Sequence, residues 1–173
     1  MKWLIIVILL TSVALLGCTP TPKSETNAAG NTEESISFND AMASFDTSEW
    51  LTDYSKALGY AKEMKRPVLV DFTGSDWCGW CIKLDGEVFS KEAFSKYAKE
   101  NLILLKLDFP RKKAQSAEEK AANEKLAQQF AVTGFPTILL LNSEGVEIAR
   151  TGYQPGGADA YVAHLQSLLK PKK

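Results

Sequence analysis

The chain has 173 residues, with 20 lysines and arginines against 21 aspartates and glutamates, for a formal net charge of -1. That balance excludes a chain-wide basic field of the kind that holds nucleic acid or an anionic membrane by bulk charge. Hydrophobic residues make up 45%, which fits one domain with its own core and is too high for a disordered chain.

Lys2 precedes an apolar run from Trp3 to Leu16 that only Thr11 and Ser12 interrupt. A spanning helix needs about 20 apolar residues; this run stops at Gly17, so residues 1–17 read as a signal peptide. Leu15-Leu16-Gly17-Cys18 resembles the lipobox of bacterial lipoproteins. The resemblance implies that the Cys18 thiol is lipidated and becomes the N-terminus after cleavage. Two or more acyl chains anchor a protein stably where one holds it only marginally. The implied location is the cell envelope, held to the lipid bilayer through Cys18 and facing the periplasm or the cell exterior.

Residues 18–45 follow as a flexible tether, poor in core-forming side chains and rich in Thr, Pro, Ser, Asn and Glu. Its most polar part, 19–37, has a typical end-to-end distance of about 25 Å. Residues 46–173 are left for the folded domain. There Trp50, Tyr54, Ala57, Leu58 and Ala61 recur at helical spacing before Lys65-Arg66-Pro67, predicting a helix over 48–65. Val68-Leu69-Val70-Asp71-Phe72 is short, β-branched and apolar, the pattern of a central strand covered on both faces.

Trp77-Cys78-Gly79-Trp80-Cys81 comes next, and the segment from there to Tyr97 starts as a helix that Gly86 kinks or ends. Further along, 102–107 reads as a strand, 114–130 as a helix and 137–141 as a strand. Asn142-Ser143-Glu144-Gly145 turns the chain into Val146-Glu147-Ile148, predicting a hairpin, and a helix over 158–169 closes the domain. Alternating strands and helices imply an α/β fold. The charge-rich stretch around Arg111-Lys112-Lys113 and Glu118-Glu119-Lys120 reads most simply as a solvated loop and helix face, with a partner-binding patch as the second reading.

A Cys-x-x-Cys placed after a strand and at the start of a helix meets unpaired N–H groups and a positive dipole end, both of which favour a thiolate. One turn brings Cys81 beside Cys78, within reach of a disulfide that can open and close. A zinc site would need four ligands, yet beyond Cys18 the chain offers only this pair and one histidine, His164; no metal ligand is expected. Haem attachment would need a histidine where Ile82 stands. A purely structural disulfide remains an alternative, although so short a loop restricts the unfolded chain little.

Val70-Asp71-Phe72, Trp77-Cys78-Gly79-Trp80-Cys81 and Gly134-Phe135-Pro136-Thr137 follow one another as in the thioredoxin family, and the likeness spans about residues 48–170. The chain therefore resembles a thiol-disulfide oxidoreductase with a thioredoxin-like fold, a central mixed β-sheet flanked by helices. The resemblance implies that Cys78 is the exposed nucleophile, that Cys81 resolves the mixed disulfide, and that Asp71 moves a proton to and from Cys81. Burial in an apolar strand should raise the Asp71 pKa.

By the same likeness Pro136 is a cis-proline facing the disulfide. Phe135 then offers its backbone to an extended substrate, and Trp77, Gly79 and Trp80 line an apolar apron for polypeptide. Two departures stand out: the segment 72–77 is one residue longer than the usual thioredoxin pattern, and Pro110–Asn123 looks like an insertion.

The implied function is reduction or isomerisation of disulfides in exported protein substrates. A membrane electron-donor partner would supply the electrons, and no cofactor is expected beyond the redox-active Cys78–Cys81 disulfide. Gly79-Trp80 lacks the histidine of strongly oxidising relatives, which favours reduction. A non-catalytic polypeptide-binding module, acting as chaperone or docking domain, is the alternative. A thiol peroxidase is the less supported rival, because no threonine and arginine are identifiable beside the attacking thiol. Neither nucleic acid nor a second copy of the chain is expected as a partner, so the protein is read as a monomer.

Overall fold

The structure is a computed structural model, which describes residues 45–170. The segment expected to be a signal peptide, Cys18 and all of the expected 18–45 tether except Phe45 lie outside the described residues. Phe45 stacks on Tyr60 with ring centroids 4.1 Å apart.

Five strands form one sheet: β1 (Trp50–Leu51), β2 (Val68–Thr73), β3 (Ile103–Asp108), β4 (Thr137–Leu141) and β5 (Glu147–Thr151), in spatial order β1-β3-β2-β4-β5. β2 runs parallel to β3 and antiparallel to β4, which makes the sheet mixed. All six residues of β2 are buried, as an apolar strand covered on both faces requires. The β4–β5 turn works because Asn142 Oδ1 accepts the N–H groups of Glu144 and Val146, and Gly145 takes the left-handed φ of 78°.

The helices are α1 (Tyr54–Met64), α2 (Gly79–Leu84), α3 (Glu92–Asn101), α4 (Ala117–Gln129) and α5 (Gly157–Leu169). Local chemistry sets their starts: Asp53 caps α1 by accepting the Lys56 N–H at 2.8 Å, and Ser116 caps α4 through the Glu119 N–H at 3.1 Å. α2 runs on into a π-helical turn, Asp85–Phe89, which contains Gly86 where a kink or end was expected.

The first predicted helix is shorter than 48–65. Trp50 belongs to β1, pairing with Leu104, and its ring packs 5.1 Å from Phe89 and 6.4 Å from Phe94. The helical spacing of Trp50 with Tyr54 is a coincidence that a long-range edge pairing overrides.

On one sheet face Leu69, Leu104, Ile138 and Leu140 pack with Leu84, Phe94, Tyr161 and Leu165. On the other, Phe72 meets Phe109 and Phe130, and Phe130 meets Tyr54. Side chains alternate along a strand, so Asp71 shares the face of Leu69, the side covered by α2 and α5.

Candidate active site

The chain leaves β2 at Thr73, crosses Gly74–Trp77 and enters α2 with Cys78 as its N-cap. Cys78 Sγ accepts the N–H of Cys81 at 3.3 Å, so the sulfur occupies the place where a helix presents unpaired donors. The two cysteines are joined in a disulfide with Cα atoms 5.2 Å apart. The expectation of an exposed Cys78 needs adjusting: it is 6% exposed, little more than Cys81 at 3%. Turning inward to bond Cys81 and to accept its N–H covers the sulfur. What distinguishes the two is therefore their electrostatic setting more than their access.

Cys81 borders a cleft of about 240 Å³ whose other walls include Thr73, Ile82, Asp85 and Lys106. On the sheet behind, Asp71 is 3% exposed and its Oδ1 has no hydrogen-bond partner among the described residues. Burial pushes its pKa up to about 7; Lys106 pulls it down, and the charges of Asp85 and Asp108 push it up. Asp71 lies inside β2, between Lys106 of β3 and Ile138 of β4, and does not cap a loop. A carboxyl that titrates near neutrality can both take and give a proton at working pH.

Pro136 follows Phe135 through a cis peptide bond. The Phe135 ring lies edge-on to Trp77 at 5.9 Å and 5.0 Å from Phe109. Trp77 is half-buried, and its Nε1 donates to the Phe109 carbonyl at 2.8 Å. Trp80 is 58% exposed and Ile82 51%, leaving apolar surface beside the disulfide. Gly79 is exposed at the head of α2. Of the residues singled out in the sequence, Trp77, Cys78, Gly79, Trp80, Cys81, Phe135 and Pro136 thus gather at one end of the sheet. His164 bonds Thr151 at 2.9 Å and lies against Tyr161.

Several site residues had no reading in the sequence. Asp85 stands four residues after Cys81, one helical turn on, and holds Lys106 at 3.4 Å. Tyr153 packs 5.2 Å from Trp80, with the Lys83 ammonium over both rings, and donates its hydroxyl to Glu87 at 2.7 Å. Asp76 accepts the N–H groups of Arg111, Lys112 and Lys113. Asp85 had a usable signal in its spacing; the other contacts join residues far apart in sequence.

Comparison with known proteins agrees with this geometry. The thioredoxin-like domain family matches residues 54–167. The chain is 40% identical over 117 residues to the disulfide bond reductase DsbH of Chlamydia pneumoniae, covering 68% of this chain and 70% of that protein. It is 30% identical over 132 residues to the thioredoxin-related protein DsbJ of the same organism, covering 72% of this chain but 38% of that protein. A solved structure of a DsbH oxidoreductase aligns with a TM-score of 0.68 at 39% identity, covering 72% of this chain and 85% of its own.

Proposed function

The chain belongs to the thioredoxin-like family and is a thiol-disulfide oxidoreductase of the Dsb type; on that premise we propose that it reduces or isomerises disulfides of exported proteins. The observation that carries the reading is the Cys78 sulfur seated as the N-cap of α2 and bonded to Cys81.

In the dithiol form, Cys78 thiolate attacks one sulfur of a substrate disulfide, and the other substrate sulfur leaves as a thiolate and takes a proton. Cys81 gives up its proton to Asp71, attacks Cys78 Sγ and expels the second substrate thiolate. Two electrons have then passed to the substrate, and the enzyme holds the Cys78–Cys81 disulfide. The cleft beside Cys81 is walled by Asp85 and Lys106, whose charges act on Asp71, and is the route by which that proton would reach solvent. Phe135 and Pro136, with Trp77, Gly79 and Trp80, hold the substrate chain across the sulfurs. Proline has no N–H to compete for that backbone.

Two features support the reducing direction: the Gly79-Trp80 dipeptide lacks a histidine that would stabilise the dithiol form, and the similarity to DsbH is to a protein named a disulfide bond reductase. The apolar run before Cys18 supports export and lipid anchoring in the cell envelope. Outside the cytoplasm the disulfide must be reopened by another dithiol, and a membrane-held donor is the partner that suits an anchored enzyme.

Incubating the Cys81→Ser variant with a disulfide-bonded protein tests the scheme. A mixed disulfide through Cys78 should accumulate, sensitive to dithiothreitol and absent from Cys78→Ser. If neither variant traps substrate but both still bind unfolded polypeptide, the chain acts as a docking module and the scheme is wrong.

A further inference from the structure

The two departures from the compact thioredoxin pattern, the longer 72–77 segment and the Pro110–Asn123 stretch, meet in space. Asp76 takes the backbone N–H groups of Arg111, Lys112 and Lys113 at 3.0, 2.7 and 2.9 Å. Ser75 bonds both carboxylate oxygens of Asp108, through its N–H at 2.9 Å and its hydroxyl at 2.6 Å. The Arg111 guanidinium lies 3.6 Å from the centre of the Trp77 ring. The loop after β3 is thereby laced to the loop that presents Cys78.

That lacing commits the Asp76 carboxylate to the loop backbone and the Asp108 carboxylate to Ser75, while the Arg111 guanidinium lies on the Trp77 ring and the Lys113 ammonium lines the cleft with Cys81. Arg111, Lys112 and Lys113 are exposed, and none of them forms an ion pair among the described residues. The Lys113 ammonium donates to the Ser75 hydroxyl at 3.1 Å, and its charge also acts on Asp76. Asp76 is held below the ordinary carboxylate range, chiefly by the Arg111 N–H, so it remains an anchor rather than a proton carrier. Lys113 shares with Cys81 the walls of the cleft beside the disulfide, Arg111 reaches the site over the Trp77 ring, and Lys112 stands between them on the same fixed backbone, in a protein whose net charge is -1.

We propose that the Arg111–Lys113 loop is an electrostatic extension of the substrate surface, and that it selects polypeptide disulfides flanked by acidic residues. This rests on the reading of Cys78 as the exchanging thiol. Contact is continuous from Phe135 to the Trp77 ring and from that ring to Arg111. An extended segment advances about 3.3 Å per residue, so an acidic side chain a few residues from the substrate cysteine comes under the loop. Charges at this range act through steering and complementarity, which speed encounter more than they deepen affinity. An anionic lipid surface would also be drawn to three cations, but it would not require them to be fastened to the loop that carries the reactive sulfur.

The test uses the full chain in its dithiol form and three cystine-bridged peptides, identical except for two Glu, two Lys or two Ser beside one cysteine. At low salt the Glu peptide should be reduced about tenfold faster than the Lys peptide. The ratio should fall toward one in about 0.5 M salt, where screening shortens the reach of exposed charges. The double variant Lys112→Glu, Lys113→Glu should reverse the preference. Equal rates at low salt, or a preference that survives the double variant, would overturn the proposal. Equal rates together with salt-sensitive binding of phosphatidylglycerol vesicles, lost in the double variant, would do so in favour of a lipid contact. If none of the three peptides is reduced, the exchange reading itself fails and takes this one with it.

Discussion

The Lys106 ammonium lies 3.4 Å from the Asp85 carboxylate, although the strand register sets Lys106 directly across from Asp71. The same ammonium sits 4.9 Å from the centre of the Trp50 ring. Two neighbours therefore hold the ammonium, and although Lys106 still pulls the Asp71 pKa down, burial outweighs it and pushes that pKa up to about 7.

Removing the Asp85 charge should undo this arrangement. In Asp85→Asn one repulsive charge disappears and Lys106 is released toward Asp71, and both changes lower the Asp71 pKa. Lys106→Met should raise it, since the attractive charge is lost. The measurement is the pH dependence of the Cys81-dependent closing step, followed by stopped flow. Its midpoint should move to more acid pH in the first variant and more alkaline pH in the second. Midpoints that stay together would exclude a coupled Asp71–Lys106–Asp85 group.

Asp71 also sets a pH dependence of stability. Its unfolded carboxyl titrates near 3.8 and its folded one near 7, so between those values the folded state binds the extra proton. Stability attributable to this residue is therefore intact below pH 3.8, falls as pH rises through the window and levels off above 7. The full difference is of the order of 4 kcal/mol. Urea unfolding of wild type should lose stability between pH 5 and pH 8, while Asp71→Asn should lose clearly less. The same variant should slow disulfide exchange roughly a hundredfold, as removal of a general acid–base does. Parallel pH profiles would show that burial does not perturb Asp71.

Gly74 is required by the ring it faces. A Cβ there would come within 2.6 Å of the Trp77 indole, which is held by the Phe109 carbonyl on one side and Arg111 on the other. Gly74→Ala should cost about 1–3 kcal/mol, the usual range for overpacking. Gly79→Ala, where a Cβ meets nothing within 4 Å, should cost far less. Comparing the urea midpoints of the two variants decides it; equal losses would mean that the indole can move aside.

The parts of this fold that the sequence makes legible are those governed by local chemistry. An apolar β-branched run gives β2, the stretch 114–130 contains α4, although the Ser116 cap starts it only at Ala117, and a Cys-x-x-Cys after a strand marks the N-cap of α2. Gly86 flags a disturbance in the helix, although only the structure reveals it as a π-helical turn. Trp50 misleads because two residues cannot declare an edge strand whose partner lies more than 50 positions away.

The site divides along the same line. The residues that gather around the disulfide lie in three motifs that can be read directly. The charges that tune it do not: Lys106 looks like the polar residue of an alternating strand, and Asp76 like one more turn residue. The insertion after β3 is visible as added length, but its fastening to Asp76 spans about 35 residues and has no local signature.

The reduction potential of the Cys78–Cys81 pair, measured in glutathione and dithiothreitol buffers with Cys78→Ser as the control, bears most directly on the proposed direction of transfer. A reductase should equilibrate near about −270 mV, in the range of thioredoxin. A value near about −120 mV would make the protein an oxidant of exported thiols and contradict the assignment.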